Sequence, residues 1–331
     1  VRETSMEYRH LGRSGLLVSR VGLGTMNFGD ATGEADAFDI MDRAVELGVN
    51  FFDSADVYGG PQKPDMVKGY GTSEEIVGDW LRRSGRRDDI VLATKLYQPM
   101  GEGPNDRRLS AFHIRRACEA SLRRLQTDHI DVYQMHHVDR ATPFEEIWQP
   151  MERLVADGKI TYVGSSNFAG WDIATGQLVA QHRNFLGLVS EQSLYNLANR
   201  AIEQELIPAL EHFGIGLIPW SPLAMGVLAG RPTAGETIGR RSLQGERYSA
   251  LSDQLDAYER LCAALGHSPA GVAQAWLLHQ PAVSTVIAGS RTRAQLEAAV
   301  EALTIELDAQ ALDALDHIWP GPGVAPMSYA W

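Results

Sequence analysis

Four side chains of this 331-residue chain could do together what none does alone: Asp53 and Tyr58 in NFFDSADVYG, Lys95 in VLATKL, and His136 in IDVYQMH. Each motif begins as a short β-branched or aromatic run and delivers its polar residue where the run ends. If the runs are neighbouring parallel strands, a carboxylate, a phenol, an ammonium and an imidazole converge at one rim. A phenol with a pKa of about 10 is a poor proton donor at neutral pH, and a nearby lysine cation lowers that pKa by stabilising the phenolate. Asp53 would hold Lys95 charged and oriented. His136 would position a carbonyl oxygen while Tyr58 gives it a proton as hydride arrives at carbon. Taken singly, Asp53 and Lys95 read equally as a structural ion pair and Tyr58 as a loop aromatic. The reductive reading rests on finding all four at the ends of three consecutive strands.

Other chemistries find less support. His136 and His137, with Asp139, invite a metal, but adjacent strand residues point to opposite faces, so both imidazoles could meet one ion only past the strand's end. No metal is expected, and His137 reads as a packing residue. The chain has no His-Glu-x-x-His, no Gly-x-Ser-x-Gly and no phosphate loop. GLGTMN supplies Gly22 and Gly24 of a dinucleotide fingerprint but has Asn27 at the third position. No tyrosine is followed by lysine four residues on.

The elements that must position the four residues follow a βα rhythm. Strands are expected at 21–24, 50–54, 90–94, 130–135, 160–165, 188–191, 215–219 and 284–287, each short and apolar as strands buried on both faces should be. Helices are expected at 35–47, 73–83, 109–125, 144–156, 171–181, 201–212, 255–265, 269–279 and 293–303. Gly48, Gly158 and Gly214 stand where left-handed caps would end three of them. Eight such units favour an α/β fold of the (β/α)8 TIM-barrel type, with 7–18 as an N-terminal β-hairpin closing one end. The connections 58–72, 97–108 and 220–252 are long and crowd the carboxyl face. Pro320 to Gly323 marks the last tail as non-helical. No linker divides the chain, so 6–331 reads as one domain and 1–5 as an upstream remnant.

Composition bounds the partners. With 30 basic and 42 acidic groups the formal charge is −12, which disfavours nucleic acid and acidic membranes, although one local basic pocket for a phosphate is compatible with it. Two cysteines, Cys118 and Cys262, suit a reducing compartment. There is no long apolar run and no signal-like N-terminus, so a cytoplasmic protein is expected. Of four lysines among 26 arginines, only Lys95 closes a strand.

At full length the resemblance becomes explicit. MEYRHLGRSGLLVSRVGLGTMNFG, GVNFFDSADVYG, GTSEEIVGDWL, LATK, DVYQMHHVD, LVADGKITYVGSSNF, EQSLYN, PWSPLAMGVLAG and VIAGSRTRAQL occur in the order seen in aldo-keto reductases. The chain resembles that family from about residue 6 to 331, and in detail its bacterial branch related to potassium-channel β subunits, which includes deoxysugar and polyketide reductases. The closing MSYAW resembles tails in that branch. The resemblance implies an NADPH-dependent barrel without a Rossmann fold, with Asp53, Tyr58, Lys95 and His136 as catalytic tetrad. Carried over, Ser166, Asn167 and Gln192 would bind the nicotinamide carboxamide, Trp220 would stack on the ring, and Gly24, Thr25 and Met26 would floor it. Ser221, Leu223, Gly226 and Arg231 would fold over the pyrophosphate. Gly289, Ser290, Arg291, Thr292 and Gln295 match the region that holds the adenosine 2′-phosphate, where helix-opening amides and a guanidinium suit a dianion.

The chain departs from the family pattern at Ala298 and Ala299, which replace an acidic residue and an asparagine that often meet adenine. A preference for NADPH thus rests on Ser290 and Arg291. Phe28, Tyr97, Met100, His137 and Trp331, with Met26, are the expected substrate pocket. Its apolar character suits a polyketide ketone, while Arg107 and Arg108 would suit a deoxysugar nucleotide. The expected partner is a small carbonyl compound, with a homo-oligomer compatible with the branch. The alternative is a cofactor-sensing protein like the channel β subunits, with little turnover.

Overall fold

Strands β1 (Tyr8–His10) and β2 (Leu17–Ser19) pair antiparallel, Tyr8 opposite Ser19. In this computed structural model, which describes residues 6–63, 65–231 and 244–330, the hairpin caps a cylinder of eight parallel strands. These are β3 (Val21–Gly24), β4 (Phe51–Asp53), β5 (Val91–Leu96), β6 (Ile130–Met135), β7 (Ile160–Ser166), β8 (Leu188–Leu194), β9 (Gly216–Trp220) and β10 (Val286–Ala288). They pair in chain order from β3 to β9, with β10 against β3. A parallel bridge between Leu217 and Val283 draws the two edges together. The expected (β/α)8 TIM barrel with its N-terminal hairpin is the fold.

Period-two alternation decides which side chains fill the cylinder. Phe51, Val91, Ala93, Val132, Val189, Ile218 and Ile287 pack inside it, joined by Leu11 and Val18 of the hairpin. The intervening residues, Phe52, Leu92 and Tyr133 among them, face the helices in the larger outer core. Gly12 lets the hairpin seat itself: its φ is +56°, and an added Cβ would lie 2.4 Å from the Val189 carbonyl oxygen and 2.7 Å from Gly216 N.

The outer layer comprises α1 (Glu34–Glu46), α2 (Thr72–Ser84), α3 (Ala111–Leu125), α4 (Phe144–Ala156), α5 (Gly170–His182), α6 (Leu206–Phe213), α7 (Gly245–Ala250), α8 (Ser252–Leu265), α9 (Pro269–His279), α10 (Arg293–Glu301), α11 (Ala309–Ile318) and α12 (Met327–Ala330). Three departures from expectation have local causes. The helix expected over 201–212 is a 3-10 turn, Ala201–Glu203, followed by α6. Pro208 lacks the N–H that a continuous helix needs there, so the helix restarts with proline in its first turn. Helix α11, unforeseen, is capped by Asp308, whose carboxylate accepts from Ala311 N at 2.8 Å, and it buries Ala311 and Leu315. The tail expected to be non-helical is irregular at 320–323 but ends in the turn α12. The 220–252 connection also holds structure of its own, the 3-10 segment Ala224–Ala229 and α7. Among the described residues no helix is long and apolar enough to cross a membrane.

Candidate active site

Alternation along three strands, and a register shift on β8, aim a set of polar side chains into the carboxyl end of the barrel. Phe51 points inward and so does Asp53, while Val91 and Ala93 are followed by Lys95. Val132 is followed by Gln134, and Val189 lies on the strand that carries Gln192. Parallel registers place Asp53 beside Ala93 and Lys95 beside Gln134. The result is a contact chain. Lys95 Nζ donates to Asp53 Oδ2 at 2.6 Å, to the Ser54 carbonyl at 2.8 Å and to the Tyr58 hydroxyl at 3.3 Å. It also lies 4.8 Å from the Tyr58 ring centre. The Tyr58 and His136 rings meet edge to face at 5.7 Å. All four expected residues are therefore assembled.

Tyr58 is held by its backbone as well. Its carbonyl accepts from Ser73 N at 3.2 Å, which ties it to the start of α2, and Ser73 Oγ in turn bonds to Thr25. Lys95 is fully buried and Tyr58 is 8% exposed. Burial opposes the lysine charge, but Asp53 and the Tyr58 hydroxyl outweigh it and hold the ammonium above the ordinary lysine range. Burial, the Lys95 cation and His137 push His136 well below the ordinary histidine range, so its ring is neutral at physiological pH.

Asp53 has further partners. Gln134 Nε2 and Gln192 Nε2 both donate to its Oδ1, each at 2.9 Å. Gln134 was not singled out from the sequence, although it sits two residues before His136, near the end of β6. Ser166 Oγ donates to the Gln192 carbonyl at 2.8 Å. Asn167, with φ of +60°, bonds through Nδ2 to the His136 carbonyl at 3.1 Å, and its Oδ1 accepts from Trp220 Nε1 at 3.1 Å. Ser166, Asn167, Gln192 and Trp220 thus form one hydrogen-bonded arc beside the tetrad.

Beyond β9 the backbone passes through left-handed conformations at Ser221, Ala224, Met225 and Gly226, the kind of local strain that concentrates at functional loops. The loop is braced by Asn196 Nδ2 on the Ser221 carbonyl at 2.9 Å and by Tyr248 Oη on the Gly226 carbonyl at 3.3 Å. Leu223 is half-buried there. Arg231, expected at a pyrophosphate, is ion-paired with Asp256 and lies 3.6 Å from Glu259. Its charge is already engaged. At the other end, Thr292 caps α10 by accepting from Gln295 N at 3.3 Å, and Gln295 Oε1 accepts from Arg291 N at 2.9 Å. Ser290 is buried, and a Cβ on Gly289 would meet only Asn27 Nδ2, at 3.6 Å. Gly24 is closed in: a Cβ there would lie 2.6 Å from Ile287. Thr25 is buried with its hydroxyl turned to Ser73.

The expected substrate residues divide. Met26 and Met100 pack against the cluster of Ala55, Val57 and Tyr58, together with Met66, which the sequence did not single out. The rings of Tyr97 and His137 lie 5.3 Å apart. Phe28 is fully buried in the outer core and leaves no surface for a substrate to meet. Trp331 lies outside the described residues. His136 and His137 do not point to opposite faces: β6 ends at Met135, and the two rings stack 5.2 Å apart. Among the described residues no three His, Cys, Asp or Glu side chains are grouped to hold a metal ion.

Comparison with known proteins agrees with this geometry. The Aldo/keto reductase family profile matches residues 20–320. The uncharacterized oxidoreductase YrpG of Bacillus subtilis (strain 168) is 47% identical over 98% of this chain and 100% of its own length. A probable voltage-gated potassium channel subunit beta of Oryza sativa subsp. japonica is 35% identical over 91% of this chain and 92% of its own. The versiconal hemiacetal acetate reductase of Aspergillus parasiticus is 33% identical over 97% and 99%. A profile match spanning most of the barrel, and relatives that align nearly end to end, lead to one assignment: the chain belongs to the aldo/keto reductase family of oxidoreductases.

Proposed function

We propose that the protein reduces an aldehyde or ketone to an alcohol with NADPH, and that Tyr58 is the general acid. The observation that carries this reading is the Lys95 ammonium, buried between Asp53 Oδ2 and the Tyr58 hydroxyl. A cation at that distance stabilises the oxyanion left when the phenol gives up its proton. Asp53 balances the buried charge and fixes its direction. His136, neutral by burial, can donate a ring N–H to the carbonyl oxygen and so align it with Tyr58. The bound nicotinamide supplies the hydride.

The residues suit that cofactor. Donors and acceptors for a carboxamide gather at Ser166, Asn167 and Gln192 beside the half-buried Trp220 ring. The buried atoms His136 Nδ1 and Asn196 Oδ1 have no hydrogen-bond partner among the described residues, which leaves capacity near that arc. Gly24, Thr25 and Met26 would contribute mainly backbone beneath the ring. Ser221, Leu223 and Gly226 would cover the pyrophosphate. Gly289, Ser290, Arg291, Thr292 and Gln295, at the start of α10, would take the 2′-phosphate. Arg231 serves that loop better as a brace on α8 than as a phosphate ligand.

Met26, Met66 and Met100 pack against the buried cluster of Ala55, Val57 and Tyr58, apolar surroundings that support a ketone of secondary metabolism, polyketide-like before deoxysugar-like. The test is an NADPH-oxidation screen across polyketide-type ketones, deoxysugar ketones and simple aldehydes, with NADH as control. Saturable oxidation, faster with NADPH, is expected for one ketone class, and Lys95→Met is expected to lower it about 10²- to 10⁴-fold. Tight NADPH binding without turnover on any class would favour the cofactor-sensing alternative that the channel-subunit relatives suggest.

A further inference from the structure

Glu191 precedes Gln192 on β8 and therefore points the other way, out of the barrel and into the outer core. It is fully buried, and the mechanism above does not use it. A carboxyl is costly to bury unless its oxygens are well supplied with donors. Here Oε2 accepts from Ser165 Oγ at 2.5 Å, and Oε1 accepts from Ser193 Oγ at 2.6 Å and from the Phe168 backbone amide at 3.1 Å. The last of these is informative. Phe168 directly follows Asn167, whose φ of +60° is a conformation that residues other than glycine adopt at a cost.

Asn167 is gripped from several directions. Its own amide donates to the Gln192 carbonyl at 3.1 Å, and its side chain bridges the His136 carbonyl and Trp220 Nε1. Two residues downstream, Ala169 N donates to Asp172 Oδ2 at 3.0 Å as α5 begins. Between those fixed points, the Glu191 carboxyl is the acceptor that receives the peptide N–H immediately after the left-handed residue. We propose that Glu191 is a positioning residue for the nicotinamide end of the cofactor, acting by locking the turn at Asn167 so that the Asn167 side chain spans His136 and Trp220. This rests on the reductase reading, because it assigns Asn167 to the cofactor.

Direct NADPH binding, followed by the change in its fluorescence, tests the proposal without any carbonyl substrate. Glu191→Ala leaves the Phe168 amide and two serine hydroxyls without their acceptor, and it is expected to weaken binding about tenfold or more. Glu191→Gln keeps an oxygen for Phe168 and Ser193. Its amide can donate to Ser165, whose hydroxyl also reaches the Ser190 carbonyl at 3.4 Å, so affinity within about threefold of wild type is expected. With a turned-over substrate, the loss in Glu191→Ala should fall on KM for NADPH much more than on kcat. If Glu191→Ala does not fold, Glu191→Asp makes the same comparison with a carboxyl one methylene short of Phe168.

Wild-type affinity in Glu191→Ala or Glu191→Asp, or a Glu191→Gln variant as weak as Glu191→Ala, would overturn the role of Glu191 while leaving the reductase reading intact. Failure of the wild-type protein to bind NADPH would overturn both.

Discussion

Lys95 is the residue on which the site turns, because its charge is buried with one carboxylate and one phenol for company. Removing the anion strands the cation. Asp53→Asn is expected to cost about 3–5 kcal/mol of stability, the usual penalty for breaking a buried pair, read as a lower urea midpoint. Because the Lys95 pKa is raised on folding, the stability it contributes is complete below the ordinary lysine value and is lost only as pH climbs through the higher folded one. His136 behaves in the opposite sense. Its folded value is depressed, so it stays neutral as pH falls past 6.5, and the kcat profile should show no histidine inflection between pH 6 and 8. An inflection there that disappears in His136→Gln would contradict the assignment. Residue types and spacing were enough to single out the tetrad. Gln134 and Glu191 were not legible, because a glutamine inside a strand and a glutamate beside it carry no motif, and only the fold shows what they touch.

Elements were legible where one period dominated. Alternation between an inner and an outer core delivers Asp53 and Lys95 to one rim, while on β8 a register shift after Leu188 turns Gln192 to the same rim. Position-specific chemistry was harder to see: Pro208 restarts α6, and α11 depends on an Asp308 cap in a stretch that resembles its charged surroundings. The α2–α3 contact shows how closely the outer layer is fitted. A Cβ on Gly78 would lie 2.2 Å from the Arg124 carbonyl oxygen and 2.7 Å from the Leu125 carbonyl carbon, both backbone atoms that cannot swing aside. Gly78→Ala should therefore destabilise the protein by about 1–3 kcal/mol through forced separation of α2 from α3. Thermal unfolding would measure it, and an unchanged or higher Tm would refute the close approach. Since the Ser73 amide in the first turn of α2 bonds to the Tyr58 carbonyl, the same substitution should also lower activity.

At the scale of the molecule, the charge of −12 coexists with acids that the fold keeps out of water. Burial pushes the Glu191 carboxyl up to about 7 against the hydrogen bonds it receives, and burial with Glu74 nearby holds Asp56 well above the usual carboxylate range. Such groups bind protons more readily folded than unfolded, so their stabilising contribution is complete below the unfolded value and is lost as pH rises through the folded one. For Glu191 that window runs from about 4.5 to about 7. The Tm of Glu191→Gln relative to wild type should therefore rise between pH 5 and pH 8, and a constant difference would show that Glu191 does not titrate there. The net charge is compatible with the proposed phosphorylated cofactor, whose phosphates would meet Arg291 and backbone at the start of α10 locally. The central claim, however, concerns one proton. Single-turnover oxidation of bound NADPH by a reducible ketone, compared between wild type and Tyr58→Phe, isolates that proton from binding and product release. The account predicts unchanged NADPH affinity and a rate about 10²- to 10⁴-fold lower in Tyr58→Phe, and equal rates in the two proteins would contradict it.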